Sequence, residues 1–423
     1  MKKILIKDGM ILFLGTAINM LIMLVMQVIL ARNLNLVEYG AVVSSFNFIN
    51  FLALFISFGA SEFILKSFGQ YGHAGYRIVQ TWIKLIPISL VLLAGAMFIT
   101  YFSGILGELT NIFLLIIIPN ILLQGLLPLT LTVYQIEANY KKIVVINLVL
   151  YMTRLVAAIV SLFFENSVYC IGYILSGLSI LGILYYYSHI RRYFKMNINI
   201  PAGEYRSLDE HNLYKKIIKG VLPYALLAFF YYGFYQSNII FINIFLSETA
   251  VGLYNAAFTI INLTFIIPTI VLSQLFNPRL HFWIKNDINK VIYLFMKGSR
   301  WMLVLGVAIS ALLFPFSHLL IQLLFGTKFS EAAIILMLLL IIIPIRYIQA
   351  VSDAIMNTEN QINIKVQIFF IVFVVNLVLN IILIPKMGLN GVVLTTILSE
   401  TILFLLTFTF CRKFIRNKSL GDN

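Results

Sequence analysis

Long apolar runs separated by short polar segments dominate this chain, and their lengths predict membrane-crossing helices. A helix spans the hydrocarbon core of a bilayer in about 20 residues. Runs of that length fall at 9–31, 39–65, 80–102, 110–133, 143–163, 168–188, 220–244, 252–277, 292–314, 331–352, 363–384 and 390–411. The first follows Met1-Lys2-Lys3 and extends from about Gly9 to Ala31. The apolar core of a cleavable signal is only about 7–15 residues long and precedes a small-residue cleavage site, so this run reads as a retained first helix. The expected fold is therefore all-α and polytopic with twelve transmembrane helices. Residues 1–188 form an N-terminal set of six, 189–219 a polar connecting loop, 220–411 a C-terminal set of six and 412–423 a tail.

Composition supports a membrane-embedded chain. Of its residues 61% are hydrophobic and 11% charged, against about 25% charged in a soluble domain. The formal net charge of +14 does not point to nucleic acid, because a nucleic-acid binder clusters its basic residues on one folded face. Here they sit in the short segments between apolar runs. With the N-terminus inside, every Lys and Arg except Arg32, Lys328, Lys386 and Arg154 lies in an inner segment or at the span end beside it. Basic loops resist translocation, so both termini are expected in the cytoplasm of a cell whose cytoplasmic (inner) membrane holds the protein. The outer loops are too short to hold a folded domain. One constant offset also aligns Leu34 with Leu246, Gly40 with Gly252, Phe46 with Phe258, Ile49 with Ile261 and Asn50 with Asn262, a faint repeat of the kind found in secondary transporters.

Four stretches carry a family resemblance. The first, Ala31-Arg32-Asn33-Leu34-Asn35-Leu36-Val37-Glu38-Tyr39-Gly40, is similar to an A-R-x-L-G-x-x-E-Y-G turn, with Asn35 at the glycine position. Arg32 there suits the negative end of the preceding helix and Glu38 the positive end of the next, while Tyr39 is expected at the membrane interface. The others are Val251-Gly252-Leu253-Tyr254 with Ala256 and Ala257, Leu323-Leu324-Phe325-Gly326 with Phe329, and Asn380 to Gly391 with Ile384-Pro385-Lys386-Met387-Gly388 inside it. Together they resemble the Wzx-type polysaccharide flippases of the MOP superfamily. That resemblance implies a MATE-like arrangement of two six-helix lobes around a central cavity, opening alternately to each side. It also implies a substrate of oligosaccharide linked to undecaprenyl diphosphate, moved to the outer leaflet for O-antigen or capsule synthesis. Membrane lipids, and the polymerase and chain-length regulator of the same pathway, would be its partners.

Charges at bilayer depth are the candidate functional residues, since each costs roughly 2.5–3.5 kcal/mol to insert and usually faces a cavity or a partner. Arg154 lies near the middle of the fifth run and offers a planar donor fork suited to diphosphate; its structural alternative is an ion pair with Glu62 or Glu400. Arg346 either lines a cavity, snorkels to water or pairs with Asp353. Lys84 and Arg32 are candidates for the two entrances of a substrate path. Glu400, with Thr395, Thr396 and Ser399 nearby in sequence, and Glu62 are candidates for coupling to H⁺ or Na⁺, or for holding a buried cation. Where many relatives carry an acid late in the seventh span, this chain reads Gln236-Ser237-Asn238, which disfavours coupling through that helix. The same span carries Phe229, Phe230, Tyr231, Tyr232, Phe234 and Tyr235. Aromatic faces stack on sugars as well as on each other, and Tyr231 and Tyr235 are the candidate substrate contacts. Pro87, Pro119, Pro128, Pro223, Pro268 and Pro344 lie in or beside spans, where they free carbonyls and permit bends.

Sequence features of an enzyme are missing. There is no G-x-x-x-x-G-K-[ST] phosphate loop and no nucleophile elbow. His73, His189, His211, His281 and His318 lack metal-ligand spacing, and Cys170 and Cys411 stand far apart in apolar runs. No cofactor is expected. Two other readings remain: a membrane polysaccharide polymerase or ligase, which would need a sizeable catalytic outer loop, and a multidrug exporter of the same superfamily, whose cationic substrates a basic cavity would repel.

Overall fold

A computed structural model describes residues 2–84, 86–164, 167–201, 205–208, 212–276, 280, 283–284, 286–357 and 361–420. His211 and His281 lie outside the described residues. Those described are overwhelmingly helical, with no strand among them. By length and apolarity nine helices among the described residues can cross a membrane, or up to eleven when each of two bent pairs counts as one. The shorter apolar helix Ile86–Phe102 has 17 residues, at the lower end of what a bilayer requires, and supplies the twelfth. This is an all-α polytopic membrane protein. Its contacts divide it into two compact units, Met1–Gln236 and Ser237–Asn423.

The first unit contains α1 (Lys2–Asn33), α2 (Leu36–Ser57), α3 (Ala60–Tyr71), α4 (Gly75–Ile83), α5 (Ile86–Phe102), α6 (Glu108–Ile116), α7 (Ile118–Ile136), α8 (Tyr140–Val160) and α9 (Ser167–Phe194). It also holds most of α10 (Leu213–Phe245), inside which the division falls. α1 packs on α8, α7 on α9, and α2 on α6 and α7. Between α1 and α2 the turn is closed by reciprocal bonds. The Glu38 backbone N–H donates to the Asn35 side chain, and the Asn35 backbone N–H donates to the Glu38 carboxylate, each at 2.9 Å. This capping box satisfies two otherwise orphaned donors and explains asparagine at the glycine position. Tyr39 is fully buried within the protein rather than facing lipid or water, and its hydroxyl donates to Gln27 Oε1 at 2.7 Å.

The run expected as one span over 39–65 is broken. Phe58 and Gly59 both take left-handed backbone angles, φ 40° and 67°, ending α2 and starting α3. A Cβ on Gly59 would stand 2.3 Å from the backbone nitrogen of Ala225 in α10, so the absence of a side chain lets the two backbones meet. α6 and α7 are bent by 62° around Ile117, just before Pro119. A proline in the first turn of a helix sacrifices only an N–H that has no intrahelical partner, which makes it cheap after a break. Pro128 and Pro223 instead lie inside α7 and α10.

The second unit adds α11 (Glu248–Thr264), α12 (Ile288–Tyr293), α13 (Ser299–Phe325), α14 (Ala332–Leu339), α15 (Ile342–Met356), α16 (Ile362–Met387) and α17 (Leu389–Leu420). α16 packs on α17, α15 on α13 and α17, and α11 on α14. α14 and α15 are bent by 46°, and Pro344 sits at the start of α15. Gly306 of α13 faces that proline so closely that a Cβ would come within 2.7 Å of Pro344 Cα; small residues allow such backbone approach between membrane helices. Ser247 caps α11 by accepting from the Ala250 N–H at 3.2 Å. It occupies the position that the internal offset assigns to Asn35, so the repeat extends to the way both helices begin.

The break at Gly59 yields a paired test. Gly59→Ala combines a left-handed angle with a backbone clash and is expected to cost about 1–3 kcal/mol. Gly69→Ala, in α3 with open space around it, is expected to gain about 0.5–1 kcal/mol from helix propensity. Thermal unfolding in detergent should therefore move in opposite directions for the two; equal shifts would contradict the close-approach account.

Candidate functional site

In the first unit, Arg154 of α8 is 6% exposed. Its guanidinium carbon stands 4.9 Å from the centre of the Phe46 ring in α2. The π-face of the ring attracts the cation, which gives it a seat without an anion. Neither Glu62 nor Glu400 pairs with it, and its Nε and one terminal nitrogen (Nη2) have no hydrogen-bond partner among the described residues. Glu62 is exposed and accepts from the Ser61 hydroxyl at 2.7 Å. The arrangement is a buried cation on an aromatic face, with two donors that no described residue answers.

The second unit answers the same problem differently. Arg346 of α15 donates from Nε to Glu400 Oε1 of α17 at 2.8 Å, and its terminal nitrogen (Nη2) donates to the same oxygen. Asp353, one of the alternatives for Arg346, is not its partner: Arg346 instead meets Glu400, which is 1% exposed. Two rings flank the guanidinium, Phe265 at 4.5 Å and Phe258 at 5.4 Å. Phe258 is the repeat counterpart of Phe46, so both buried arginines lie over corresponding rings. Glu400 Oε2 has no hydrogen-bond partner among the described residues.

Beside this pair runs a buried polar network that the sequence reading missed. Asn238 of α10 donates to Thr396 Oγ1 at 2.9 Å and to the Tyr254 hydroxyl at 3.3 Å. Asn380 donates to the side-chain carbonyls of Asn238 and Asn376, each at 2.9 Å. Asn376 donates to Ser399 Oγ at 3.2 Å and accepts from Ser237 Oγ at 2.6 Å. The signal was available: Asn376 and Asn380 stand one turn apart in a strongly apolar helix, and Ser237-Asn238 occupies the place where an acid was sought. Amides supply both donors and acceptors, so they join four helices without placing a net charge in hydrocarbon.

The remaining candidates are more exposed. Lys84 is exposed and its ammonium stands 5.9 Å from the Tyr214 ring. Arg32 is exposed in the last turn of α1. Tyr231 is 42% exposed and its ring centre lies 4.8 Å from that of Tyr235; Phe229 packs instead on Phe51 at 5.4 Å. At the start of the connecting segment, Arg192 forks onto Glu137, and the Asn199 N–H donates to the same carboxylate at 3.0 Å. Burial alone would push the Glu137 carboxyl up, but these hydrogen bonds and the Arg192 charge hold it below its ordinary value. Among the described residues no group of His, Cys, Asp and Glu could hold a metal.

Comparison with known proteins adds the following. A family model described as "Polysaccharide biosynthesis protein" matches residues 5–276. A probable low-salt glycan biosynthesis flippase of Haloferax volcanii is 23% identical over 337 residues, covering 79% of this chain and 68% of the relative. An uncharacterized membrane protein of Methanocaldococcus jannaschii is 21% identical, over 93% of this chain and 81% of the other. Among solved structures, the inward closed conformation of the lipid II flippase MurJ superposes with TM-score 0.70 at 18% identity, covering 98% of this chain and 90% of that one. An inward-facing multidrug resistance MATE family transporter of the MOP superfamily gives 0.71 at 14% identity, covering 96% of each. These similarities establish a MATE-like fold.

The ion pair can be dissected by a mutant cycle. Removing either Arg346 or Glu400 alone strands a buried charge and is expected to cost about 3–5 kcal/mol, whereas joint replacement by apolar residues of similar size is often neutral. Thermal unfolding of Arg346→Met, Glu400→Leu and the double variant checks this. A double variant no more stable than the worse single one rules the pairing out as a stabilising unit.

Proposed function

Because the chain belongs to the polysaccharide biosynthesis protein family, we propose that it is a flippase that carries a lipid-linked oligosaccharide across the bilayer, changing no covalent bond. In its finer form the substrate is a repeat unit on undecaprenyl diphosphate, moved by alternating access from the cytoplasmic to the outer leaflet for O-antigen or capsule synthesis. The flippase names of its glycan-biosynthesis and lipid II relatives support the general reading.

The observation that carries it is Arg154. A cation held by an aromatic face, with donors to spare, binds an anion without first giving up a carboxylate. A diphosphate supplies the oxygens such a fork takes best. In the same proposal Lys84 and Arg32 guide the headgroup, and Tyr231 and Tyr235 offer ring faces to its sugars. Coupling to H⁺ or Na⁺ runs through Glu400: loading its free oxygen weakens the hold on Arg346 and so changes how α15 and α17 are tied. Glu62, exposed and already bonded to Ser61, has a poorer setting for this.

Deleting the gene is expected to leave complete lipid-linked repeat units on the cytoplasmic leaflet and to abolish surface polymer. Single units capped at the outer surface would instead identify a polymerase. Restoring the gene as Arg154→Ala should cut translocation at least about tenfold, the worth of one charged hydrogen bond, with Arg154→Lys recovering it in part. Wild-type transport by both variants, at equal protein levels, would falsify the role of Arg154. A second readout concerns coupling: Glu400→Gln should flatten the pH or Na⁺ dependence of transport, and an unchanged dependence excludes Glu400.

A further inference from the structure

A groove of about 600 Å³ lies between α13, α15 and the second half of α17, and its lining includes none of Arg346, Glu400 and the asparagine network. Its volume is that of an ordinary ligand site. Its floor is aromatic: Phe295 and Phe408 stack with centres 4.8 Å apart, and Phe404 lies 5.4 Å from Phe408. Arg300, Arg412 and Arg416 also line it. Phe404, Phe408, Arg412 and Arg416 are each four apart on α17, so they share one face and succeed one another by about 6 Å per step. The groove thus changes from ring carbon to guanidinium along its length.

Three further features define what fits. No carboxylate lines the groove, and none pairs with these arginines among the described residues. The Ser299 hydroxyl also lines it, buried and without a hydrogen-bond partner among the described residues. Trp301, 72% exposed, follows Arg300, and Tyr293, 62% exposed, follows Ile292 of the lining; exposed Trp and Tyr concentrate at the headgroup level of a bilayer. Arg412 and Arg416 lie just past the last apolar run, 390–411, which sets them at the depth of lipid phosphates and Phe404 and Phe408 at the depth of the chains.

We propose that this groove binds one anionic glycerophospholipid of the surrounding membrane, its phosphate held by Arg300, Arg412, Arg416 and Ser299 and one acyl chain lying on Phe295, Phe404 and Phe408. Basic pockets between membrane helices recognise anionic headgroups in this way. The site is a lipid clamp on the C-terminal helix and is independent of the transported substrate.

Native mass spectrometry of the full chain in neutral detergent, titrated with phosphatidylglycerol, phosphatidylcholine or undecaprenyl phosphate, tests it. Phosphatidylglycerol is expected to bind at least about tenfold more tightly than phosphatidylcholine. The triple variant R300Q/R412Q/R416Q should lose roughly a hundredfold, at about fivefold per basic residue, while Lys413→Gln, outside the groove, keeps wild-type affinity. If the triple variant is unstable, R412Q alone should lose about fivefold, and phosphatidylglycerol should raise its thermal midpoint less than that of the wild type. Equal binding of the two phospholipids, or unchanged binding by the variants, overturns the proposal. So does displacement of phosphatidylglycerol by undecaprenyl phosphate at equal concentration, which would assign the groove to the substrate.

Discussion

Hydrocarbon offers no water to a polar group, so every donor, acceptor and charge that the chain carries into the bilayer must be answered by the chain itself. Two arginines and three asparagines are carried in, and each is met by the chain at some of its atoms. Arg154 rests on the face of Phe46. Arg346 has Glu400 as well as two rings. Asn238, Asn376 and Asn380 answer one another across α10 and α16. Backbone obeys the same requirement, with breaks at Phe58–Gly59 and Ile117 cheap because a glycine or a proline stands at each.

These solutions differ in what they leave available. A compensated pair such as Arg346–Glu400 resists insertion of a foreign anion, because binding one would first strand the carboxylate. A ring makes no such demand. In the function proposed above, the anionic headgroup is accordingly assigned to the first unit, and the making or loosening of an internal bond to the second. The asparagine network ties α10, α11, α16 and α17 with directional bonds but no net charge, so those helices are held in register at little electrostatic expense.

Span positions, and the burial of Arg154, Arg346 and Glu400, were legible because hydropathy and charge within an apolar run are one-dimensional signals. Breaks within spans were not: apolar content continues unbroken through Phe58 and Ile117, and only packing against α10 and the proline that follows Ile117 give the chain reason to turn there. Partner identity was also out of reach. Asp353, two turns from Arg346 on the same helix, was the nearer guess in sequence, whereas Glu400 arrives from another helix. Tyr39 likewise meets Gln27 of the preceding helix. Asparagine in an apolar run was the overlooked clue, since an uncharged residue raised no alarm in a search built on charge.

Phe46 and Phe258 occupy corresponding places in the two halves, yet the cations above them arrive on helices that do not correspond, α8 in one case and α15 in the other. The duplicated frame fixes where a cation finds a seat and leaves open which helix delivers it. An alignment of the halves anchored on arginines would accordingly set the two copies out of phase, whereas one anchored on the rings and helix caps keeps them in step.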